Sequence, residues 1–385
     1  MRRRLAAPAM VAAAALGGAV LTGCASEAQT VPAAPLSTEG SGLPSRQPLP
    51  SWTAPPPTTF TVVASGDVLI HPELTDQALA DGSGVRDYRP MLSGVKQVVS
   101  AADLAICHLE VPLAGPDGPF SGWPAFSAPP EIATALAETG YDLCSTASNH
   151  TLDRGPTGVR STLDVLDAAG IKHTGSARSA EEARTPRIVE VNGAKIGHVS
   201  FTFGFNGLRE PGGTPWLANE LDVPDVLAAT RAAKQAGADV VIASLHWGNE
   251  FQSEPTAQQR SIAATLLEDD SVDLIVGHHA HVVQPFEQVN GKWVAYGLGN
   301  HLARHAEPRG TTEEGLIARF RFAKDAAGRW RVDRADYVPT LVDLGPPIRV
   351  LDLTAIGNSE RKTQALQRVD KVVLSRGAKP ARPGG

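Results

Sequence analysis

Polar residues with metal-binding side chains follow six apolar runs of this 385-residue chain, each where the run ends. The six clusters are Ser65-Gly66-Asp67 to His71, Cys107-His108-Leu109-Glu110, Ser148-Asn149-His150 to Asp153, His246-Trp247-Gly248-Asn249-Glu250, Gly277-His278-His279-Ala280-His281 and Gly297-Leu298-Gly299-Asn300-His301. Eight of the 11 histidines lie in these clusters, so they are not scattered as surface residues would be. Imidazole, carboxylate and amide groups together suit Zn, Mn or Fe better than Ca. The spacing therefore predicts a site for one or two divalent metal ions, which hydrolytic enzymes use to stabilise attacking and leaving oxygens.

Each member of this set also has an ordinary structural explanation. Asp67 after Gly66 could shape a turn or cap a helix, Asn149 could form an Asx turn, and His246 could be a hydrogen-bonded core histidine. Even the Gly-His-His-Ala-His run at 277–281 could be a buried neutral network. The recurrence at successive strand ends favours a ligand site, because ligands of an α/β sheet bind beyond the carboxyl ends of its strands.

The elements that must position these clusters alternate between strands and helices. Buried strands are predicted at 59–65, 103–107, 141–147, 188–191, 195–201, 239–244 and 272–276. Helices are predicted at 90–102, 129–139, 158–169, 223–236, 256–267 and 359–375. After residue 281 the pattern changes to successive strands, at 282–288, 293–296, 315–322 and 330–338. This order predicts an α/β sandwich of mixed sheets over residues 59–356, followed at 357–385 by a C-terminal helix and a tail that frays from Arg376.

The first 58 residues predict export and a lipid anchor. Arg2 to Arg4 precede an apolar run at 5–20 that is short for a membrane span, which is typical of a secretory signal. Leu21-Thr22-Gly23-Cys24 resembles the bacterial lipobox, so residues 1–23 are expected to be a lipoprotein signal peptide cleaved before a lipidated Cys24; an ordinary signal peptide or an uncleaved anchor is the alternative. Residues 24–58, rich in Pro, Ser, Thr and Ala, predict a linker without regular structure. We therefore expect the protein on the outer face of the bacterial cytoplasmic membrane.

The net charge and the cysteine content indicate which partners the protein can bind and whether it can form a disulfide. The formal net charge is −6, and loss of the three arginines before Cys24 makes it −9. An acidic domain without a basic stripe argues against nucleic-acid binding. Export would permit a disulfide between Cys107 and Cys144, but both lie in apolar strand-like runs, where a buried free thiol is the commoner state. Two free thiols are therefore favoured, and a Cys107–Cys144 disulfide is the alternative.

Six motifs occur in the order and approximate spacing of the CapA family of poly-γ-glutamate capsule synthesis proteins, which the sequence from about residue 60 to 320 resembles. The motifs are Gly66-Asp67, Leu109-Glu110, Asn149-His150, His246 to Glu250, Gly277 to Val282 and Gly297 to Asn300. The family is similar to the calcineurin-like metallophosphoesterases, which implies a four-layer αββα sandwich of two packed mixed sheets with flanking helices. The resemblance implies metal ligation by Asp67, Glu110, Asn149, His246, His279 and His281. It also implies catalytic roles for His150, which would protonate a leaving group or contact the transition state, and for Glu250, beside the ligands or the substrate.

Three positions depart from the family pattern. Metallophosphoesterases usually begin with Asp-x-His, but Leu69 occupies the histidine position here, and His71 is a candidate replacement. His108 stands where Asn usually precedes Leu-Glu, and His301 stands where Phe usually follows Gly-Asn. Extra ligands or supporting residues are expected among His71, His108, His278 and Asn300. The site could therefore hold two metals, hold one, or have lost catalysis.

The resemblance implies a role in the synthesis, export or processing of a poly-γ-glutamate-type capsule or envelope polymer. One hypothesis is a metal-dependent hydrolase or transferase that acts on an anionic polymer or on a small phosphoester or amide substrate. A second is a non-catalytic, polymer-binding accessory subunit of a membrane synthase, and a third is a general secreted metallophosphoesterase. Loops 112–128 and 203–219 are expected to shape the substrate pocket, and their aromatic residues could line it or pack the loops. These aromatic residues are Trp123, Phe126, Phe203, Phe205 and Trp216.

Overall fold

The structure, a computed structural model, describes residues 59–381. The expected signal peptide, the lipidation site Cys24 and the linker at 24–58 lie outside the described residues, as do residues 382–385. Within residues 59–381, no helix has both the length and the apolar character needed to cross a bilayer.

Strands and helices alternate in the first part of the described chain, and strands dominate afterwards, as the sequence predicts. The strands are β1 (Thr59–Leu69), β2 (Leu104–Leu109), β3 (Leu143–Ser145), β4 (Lys172–Thr174), β5 (Arg187–Val191), β6 (Ala194–Thr202), β7 (Val240–His246), β8 (Leu274–His278), β9 (Phe286–Val289), β10 (Lys292–Ala295), β11 (Asn300–Ala303), β12 (Glu314–Lys324), β13 (Trp330–Asp343) and β14 (Arg349–Asp352). The helices are α1 (Pro72–Asp81), α2 (Arg89–Leu92), α3 (Lys96–Ser100), α4 (Glu131–Thr139), α5 (Gly155–Ala168), α6 (Ala180–Arg184), α7 (Val223–Gln235), α8 (Ala257–Glu268) and α9 (Glu360–Val373).

The strands form two mixed sheets. The first has the order β14-β13-β12-β1-β2-β3-β4, with β11 paired to β1, and the second has the order β5-β6-β7-β8-β10-β9. In the first sheet β1 to β4 run parallel and β12 to β14 run antiparallel. In the second sheet β6, β7, β8 and β10 run parallel, with an antiparallel strand at each edge.

Alternate side chains of the central strands enter different layers of the core. On β1, Val62 packs between the two sheets, whereas Val63 packs under α1 to α5. On β7, Ile242 packs between the sheets, whereas Leu245 packs under α7 and α8. Because both faces of each sheet bury apolar side chains, helices must cover the outer faces. This arrangement confirms the predicted α/β sandwich, with helices outside two packed mixed sheets.

Strand register lines up candidate side chains in one row across each sheet. In the first sheet the row consists of four partners on adjacent strands: Asn300, Asp67, His108 and Ser145. In the second sheet His246 on β7 is level with His278 on β8. Except for Asn300, which begins β11, these residues lie at or near the carboxyl ends of parallel strands, where an α/β sheet presents its ligand-binding residues.

Gly66 permits the close approach of β1 to the segment that leads into β11. A Cβ atom at Gly66 would lie 2.0 Å from the carbonyl oxygen of Gly299, so a larger residue would push the two segments apart. The backbone N–H of Asp67 donates to the same carbonyl at 3.0 Å. This contact fixes the backbone from which the Asp67 side chain projects.

The predicted helix at 90–102 was wrong. The structure has two short helices, α2 and α3, in this region, separated by Ser93, Gly94 and Val95. Gly94 forms a bridge to Leu351, and a Cβ atom there would lie 2.4 Å from the carbonyl oxygen of Val350. Pairing with the β14 segment therefore overrides local helical periodicity.

The tail that the sequence predicts to fray from Arg376 contacts the sheets over the residues that the structure describes, and fraying itself stays a prediction. The Arg376 guanidinium lies 2.9 Å from a carboxylate oxygen of Glu287. The backbone N–H of Ala381 donates to the carbonyl oxygen of Ala335 at 2.8 Å. An ion pair and a strand-like hydrogen bond thus hold residues 376–381 against the sheets.

The expectation of free thiols was also wrong, because Cys107 and Cys144 form a disulfide. The two cysteines are register partners on the adjacent parallel strands β2 and β3, with Cα atoms 4.5 Å apart. Sequence alone does not reveal that these strands are neighbours, and that adjacency is what makes the bond possible.

Candidate metal centre

The six side chains that the family resemblance implies as ligands lie together at the carboxyl ends of the two sheets, and all are at most 5% exposed. Asp67 Oδ2 lies 3.2 Å from Nδ1 of His281. Glu110 Oε1 lies 3.7 Å from Nε2 of His281 and 3.8 Å from Nε2 of His246. Asn149 Oδ1 lies 2.9 Å from the same His246 nitrogen. His279 completes the cluster, with a ligand atom within 4.8 Å of those of Glu110 and His246.

Two overlapping groups of ligand atoms share Glu110. One is Asp67, Glu110 and His281, and the other is Glu110, His246 and His279; within each group the ligand atoms lie within 4.8 Å of one another. Glu110 would thus contribute to either group, and two metals held by these groups would share it. The donor set of imidazole and carboxylate groups fits Zn, Mn or Fe.

Glu110 provides the strongest indication that a cation belongs here. Both of its carboxylate oxygens are buried, and neither has a hydrogen-bond partner within residues 59–381. Burial raises the pKa of Glu110 well above its usual value. A buried carboxylate without a hydrogen bond is costly, whereas a divalent cation would satisfy both oxygens. The residues present therefore fit a metal.

Most of the imidazoles are neutral, which is the form that binds metals. Burial lowers the pKa of His246 well below its usual value and lowers that of His279 to about 3. His281 differs: burial opposes its protonation, but the charge of Glu110 and the hydrogen bond to Asp67 outweigh burial and raise its pKa to about 10. A proton on His281 supplies the positive charge that this acidic cluster demands, and a divalent cation would take over that role.

Asp67 remains ionised despite its burial. Burial opposes ionisation, but hydrogen bonds from His278 and His281 outweigh it and hold the pKa of Asp67 well below its usual value. The same carboxylate accepts the backbone N–H of His279 at 3.2 Å. His279 and His281 have φ angles of 88° and 52°, in the left-handed region that non-glycine residues rarely adopt. Such strain persists where surrounding contacts enforce it, and it is frequent at functional sites.

Three of the four residues expected as extra ligands or supports each contact one member of the ligand set. The pairs are His278 Nδ1 with Asp67 Oδ1 at 3.2 Å, Asn300 Oδ1 with His281 Nδ1 at 3.0 Å, and His108 Nε2 with His246 Nδ1 at 2.9 Å. Contacts of this kind orient metal ligands and are as much a part of a metal site as the ligands themselves.

His71, the candidate replacement for the missing histidine, does not join the cluster. Its Nδ1 lies 3.0 Å from the carbonyl oxygen of Leu69 and 3.1 Å from the backbone nitrogen of Arg304. No candidate metal group among residues 59–381 contains it. Leu69, at the usual histidine position, is buried in the apolar core and offers no ligand atom.

A cleft of about 500 Å³ opens beside the cluster, and both predicted catalytic residues line it. Nδ1 of His150 lies 2.8 Å from Asp153 Oδ2, and the same oxygen accepts the backbone N–H of Phe126 at 2.7 Å. Asp153 therefore orients the His150 ring and leaves Nε2 for a substrate. Glu250 is exposed, and its carboxylate groups with His279 and His281 within 4.8 Å.

The five loop aromatics divide between the cleft and the core. Trp123, which is 79% exposed, and Phe126 line the cleft. Phe203 is partly exposed, with its ring centre 4.5 Å from that of His279. Phe205 and Trp216 pack with the core beneath the first sheet. Loop 112–128 thus shapes the cleft with its aromatic residues, whereas much of the aromatic surface of loop 203–219 is structural.

Sequence reasoning missed several residues at the site. His305 lines the cleft, and its ring centre lies 4.9 Å from that of His281. Asn206 accepts a hydrogen bond from the side-chain amide of Asn149 at 3.2 Å. His305 lies beyond the last motif, so no spacing rule identifies it. Asn206 comes from a loop whose folded path the sequence does not specify.

Comparison with known proteins identifies the family. The family described as "Bacterial capsule synthesis protein PGA_cap" matches residues 61–305. The PGA biosynthesis protein CapA of Bacillus subtilis is 28% identical over 211 residues, 54% of this chain and 53% of that protein. The capsule biosynthesis protein CapA of Bacillus anthracis is 29% identical over 185 residues, 46% of this chain and 43% of that protein. The match thus spans about half the length of these curated relatives.

Among solved structures, the calcineurin-like phosphoesterase YfkN of Bacillus subtilis superposes with a TM-score of 0.43 and 16% identity, over 83% of this chain and 98% of that one. This likeness is too distant to carry an inference about activity. The family match covers well over half of the chain and includes every strand end that contributes to the metal cluster. The chain therefore belongs to the PGA_cap family of bacterial capsule synthesis proteins.

Proposed function

We propose that this protein is an exported, lipid-anchored, metal-dependent hydrolase or transferase that acts on a poly-γ-glutamate-type capsule or envelope polymer. The observation that carries the proposal is Glu110, a fully buried carboxylate with two unpartnered oxygens shared by two candidate metal groups beside an open cleft. Family membership and the two Bacillus relatives support the capsule role.

The side chains around the cleft supply the remaining chemistry. Divalent metals in a centre of this kind polarise the scissile group and stabilise charge in the transition state. His150, oriented by Asp153, lies where it can give a proton to a leaving group from the cleft. Glu250, exposed beside His279 and His281, can accept a proton or hydrogen bond from the substrate.

Two arginines supply positive charge near the cleft of an otherwise acidic protein. The Arg309 guanidinium lies 4.2 Å from the ring centre of Phe251, and the backbone of Arg304 donates to His71. Phe251 and His71 both line the cleft. In the part of the chain that the structure describes, neither guanidinium has a carboxylate within ion-pair distance. This free charge would attract the carboxylates of an anionic polymer.

The disulfide supports export. Disulfides persist in oxidising compartments and are rare in the bacterial cytosol, so the Cys107–Cys144 bond agrees with a protein that works outside the cytoplasmic membrane. The signal peptide and the lipid on Cys24 remain predictions from the sequence.

A second candidate function is a non-catalytic polymer-binding subunit of a membrane synthase. Leu69 favours it, because the first group of ligands lacks the imidazole that metallophosphoesterases usually place there. In this case the metal cluster would bind polymer carboxylates without turnover. Polymer binding in the absence of any bond cleavage is its expected signature.

A substrate panel separates these functions. The protein, loaded separately with Zn²⁺ and Mn²⁺, would be incubated with oligo-γ-glutamate, phosphomonoesters and phosphodiesters, and products would be followed by mass spectrometry. We expect cleavage or transfer of γ-glutamyl bonds, lost in His246→Ala and His281→Ala variants that still fold and bind polymer. Polymer binding without turnover favours the accessory subunit, and turnover of phosphoesters alone indicates a general metallophosphoesterase.

A further inference from the structure

His108 lies between the two sheets, behind the metal cluster, and is fully buried. Its two ring nitrogens are both engaged: Nδ1 lies 2.8 Å from Ser145 Oγ, and Nε2 lies 2.9 Å from His246 Nδ1. Its ring also stacks on that of His278, with centres 4.0 Å apart, which fixes the plane of the imidazole. One ring nitrogen of His108 also lies within 4.8 Å of ligand atoms of Asp67 and His246. With Nδ1 donating to Ser145 and Nε2 accepting from His246, however, His108 has no lone pair left for a metal.

The arrangement allows one direction of hydrogen bonding that leaves His246 free to bind a metal through Nε2. The Ser145 hydroxyl donates to the carbonyl oxygen of Cys107 at 3.3 Å, which uses its one proton. Ser145 Oγ then accepts from Nδ1–H of His108, whose Nε2 in turn accepts from Nδ1–H of His246. The other nitrogen of His246, Nε2, is left with its lone pair.

The contacts of His246 Nε2 show what a cation would replace. Asn149 Oδ1 lies 2.9 Å from Nε2, and Glu110 Oε1 lies 3.8 Å from it. The Asn149 amide donates through Nδ2 to Asn206, so its oxygen faces His246. Without a metal, Nε2 can hold this contact only by donating a proton to the Asn149 oxygen. A cation between Nε2 and the two oxygens would replace that proton and leave the ring proton on Nδ1. The opposite direction would put a proton on Nε2 and prevent His246 from binding a metal through that atom.

We propose that His108 is a positioning residue that holds His246 in the Nδ1–H tautomer, so that Nε2 of His246 becomes a metal ligand. The inference rests on the proposed metal-dependent function, and it gives a role to the residue that replaces the usual Asn before Leu-Glu. Ser145 and the carbonyl of Cys107 end this series of hydrogen bonds. The Cys107–Cys144 disulfide, next to His108 and Ser145, holds β2 and β3 in register.

Three variants test the role of His108. His108→Phe keeps a planar ring of similar size but has no acceptor, and His108→Gln retains a carbonyl oxygen that can accept from His246. His198→Phe is the matched control, because His198 is also buried and bonded to a serine hydroxyl, at 2.8 Å from Ser244, but forms no hydrogen bond to a ligand. Binding of Zn²⁺ alone would be measured by competition with a chromophoric chelator, with circular dichroism to verify folding.

We expect His108→Phe to weaken Zn²⁺ binding about 10- to 100-fold, as loss of a ligand-orienting contact usually does. His108→Gln should stay within a few-fold of the wild type, and His198→Phe should bind as the wild type does. Equal affinity in His108→Phe and the wild type would overturn the proposal. So would equal losses in His108→Phe and the control.

A measurement on the wild-type protein keeps the proposal testable if the variants misfold. Long-range ¹H–¹⁵N spectra of Zn²⁺-loaded protein should show His246 protonated at Nδ1 and shifted by metal at Nε2, with both His108 nitrogens free of metal. A metal-shifted nitrogen on His108 refutes the positioning role. This outcome is independent of catalysis: a protein that shows the expected tautomers but turns over no substrate contradicts only the enzymatic function.

Discussion

Glu110 is the residue on which the metal centre most depends. Its oxygens are buried without hydrogen bonds among residues 59–381, and it belongs to two of the four groups of side chains that could hold a metal. In the absence of a cation the only compensation for this buried carboxylate among residues 59–381 is the nearby His246 and His281 imidazoles, 3.8 and 3.7 Å away, and no hydrogen bond reaches it. Glu110 should therefore strengthen metal binding but lower the stability of the metal-free protein.

Replacing Glu110 by Gln keeps the shape of the side chain and removes its charge. We expect most bound metal to be lost, whereas the metal-free protein should be as stable as the wild type or more stable, by up to about 1–3 kcal/mol. Metal analysis by mass spectrometry and urea unfolding in EDTA measure the two effects. Glu190→Gln, at an exposed position on β5, is the control for the charge change. A variant that keeps its metal, or is destabilised without metal, contradicts this role.

Buried neutral histidines make the fold sensitive to acid. Burial lowers the pKa of His198 from 6.5 to about 3, so the folded protein resists a proton that the unfolded chain accepts. The stability that neutral His198 contributes is present above pH 6.5 and is lost as the pH falls towards 3. His198→Gln cannot titrate and can still bond to Ser244. In this variant the slope of unfolding free energy against pH, between pH 3 and 6.5, should be smaller than in the wild type by up to about 1.4 kcal/mol per pH unit. Urea titrations at several pH values measure the slope, and an unchanged slope refutes the prediction.

At the residue scale, the sequence shows which residues could bind a metal better than it shows which side chains contact one another in the folded protein. Asp67, Glu110 and His281 are recognisable because each follows a strand and belongs to a motif. Nothing in the sequence indicates that His305 returns to the same cleft, or that His71 turns back to the carbonyl of Leu69 instead of joining the cluster. These contacts depend on loop paths that only the folded chain specifies.

At the scale of elements, the disulfide between β2 and β3 stabilises the row of residues that supports the centre. Cys107 and Cys144 precede His108 and Ser145, and the closed loop spans a sequence separation of 37 residues. A cross-link of this kind restricts the unfolded chain and typically contributes about 2–4 kcal/mol.

We therefore expect a reducing agent to lower the urea midpoint of the wild type by an amount equivalent to about 2–4 kcal/mol. The double variant Cys107→Ala/Cys144→Ala should be comparably less stable and should not respond to the reducing agent. If the wild type and the double variant respond equally to reduction, the disulfide does not contribute in this way.

The long buried elements could be predicted from sequence, whereas short or paired ones could not. The strand at β7 and the helix at α5 have continuous apolar or periodic patterns and were predicted within a few residues of their ends. β4 and β11 have three and four residues, too few for a period to be recognised. The break between α2 and α3 depends on a long-range bridge from Gly94 to Leu351, which no local pattern encodes.

At the scale of the whole molecule, charge distribution matters more than net charge. The chain is acidic overall, yet Arg309 stands beside the cleft without a carboxylate partner in the described part of the chain. The net charge of the chain therefore does not predict the local charge of the cleft to which a polyanion would bind. This distinction could not be predicted from the sequence, because Arg309 lies outside every recognised motif.

Removal of Arg309 should weaken binding of oligo-γ-glutamate about tenfold, equivalent to about 1.4 kcal/mol, and should reduce the salt dependence of binding. Metal content should not change, since Arg309 contacts none of the proposed ligands. Arg160→Ala, at an exposed position on α5 outside the cleft lining, removes the same charge and should bind normally. Titrations at two salt concentrations measure both effects; equal weakening in the two variants would mean that net charge alone is responsible.

The central claim is that the two sheets hold a metal centre, and metal content tests it most directly. The protein would be expressed in medium containing Zn, Mn and Fe, purified without chelators and analysed by inductively coupled plasma mass spectrometry, beside the Glu110→Gln variant. We expect one or two transition-metal ions per wild-type chain and a large loss in the variant. A folded wild-type protein that is essentially free of metal after such growth would contradict the claim.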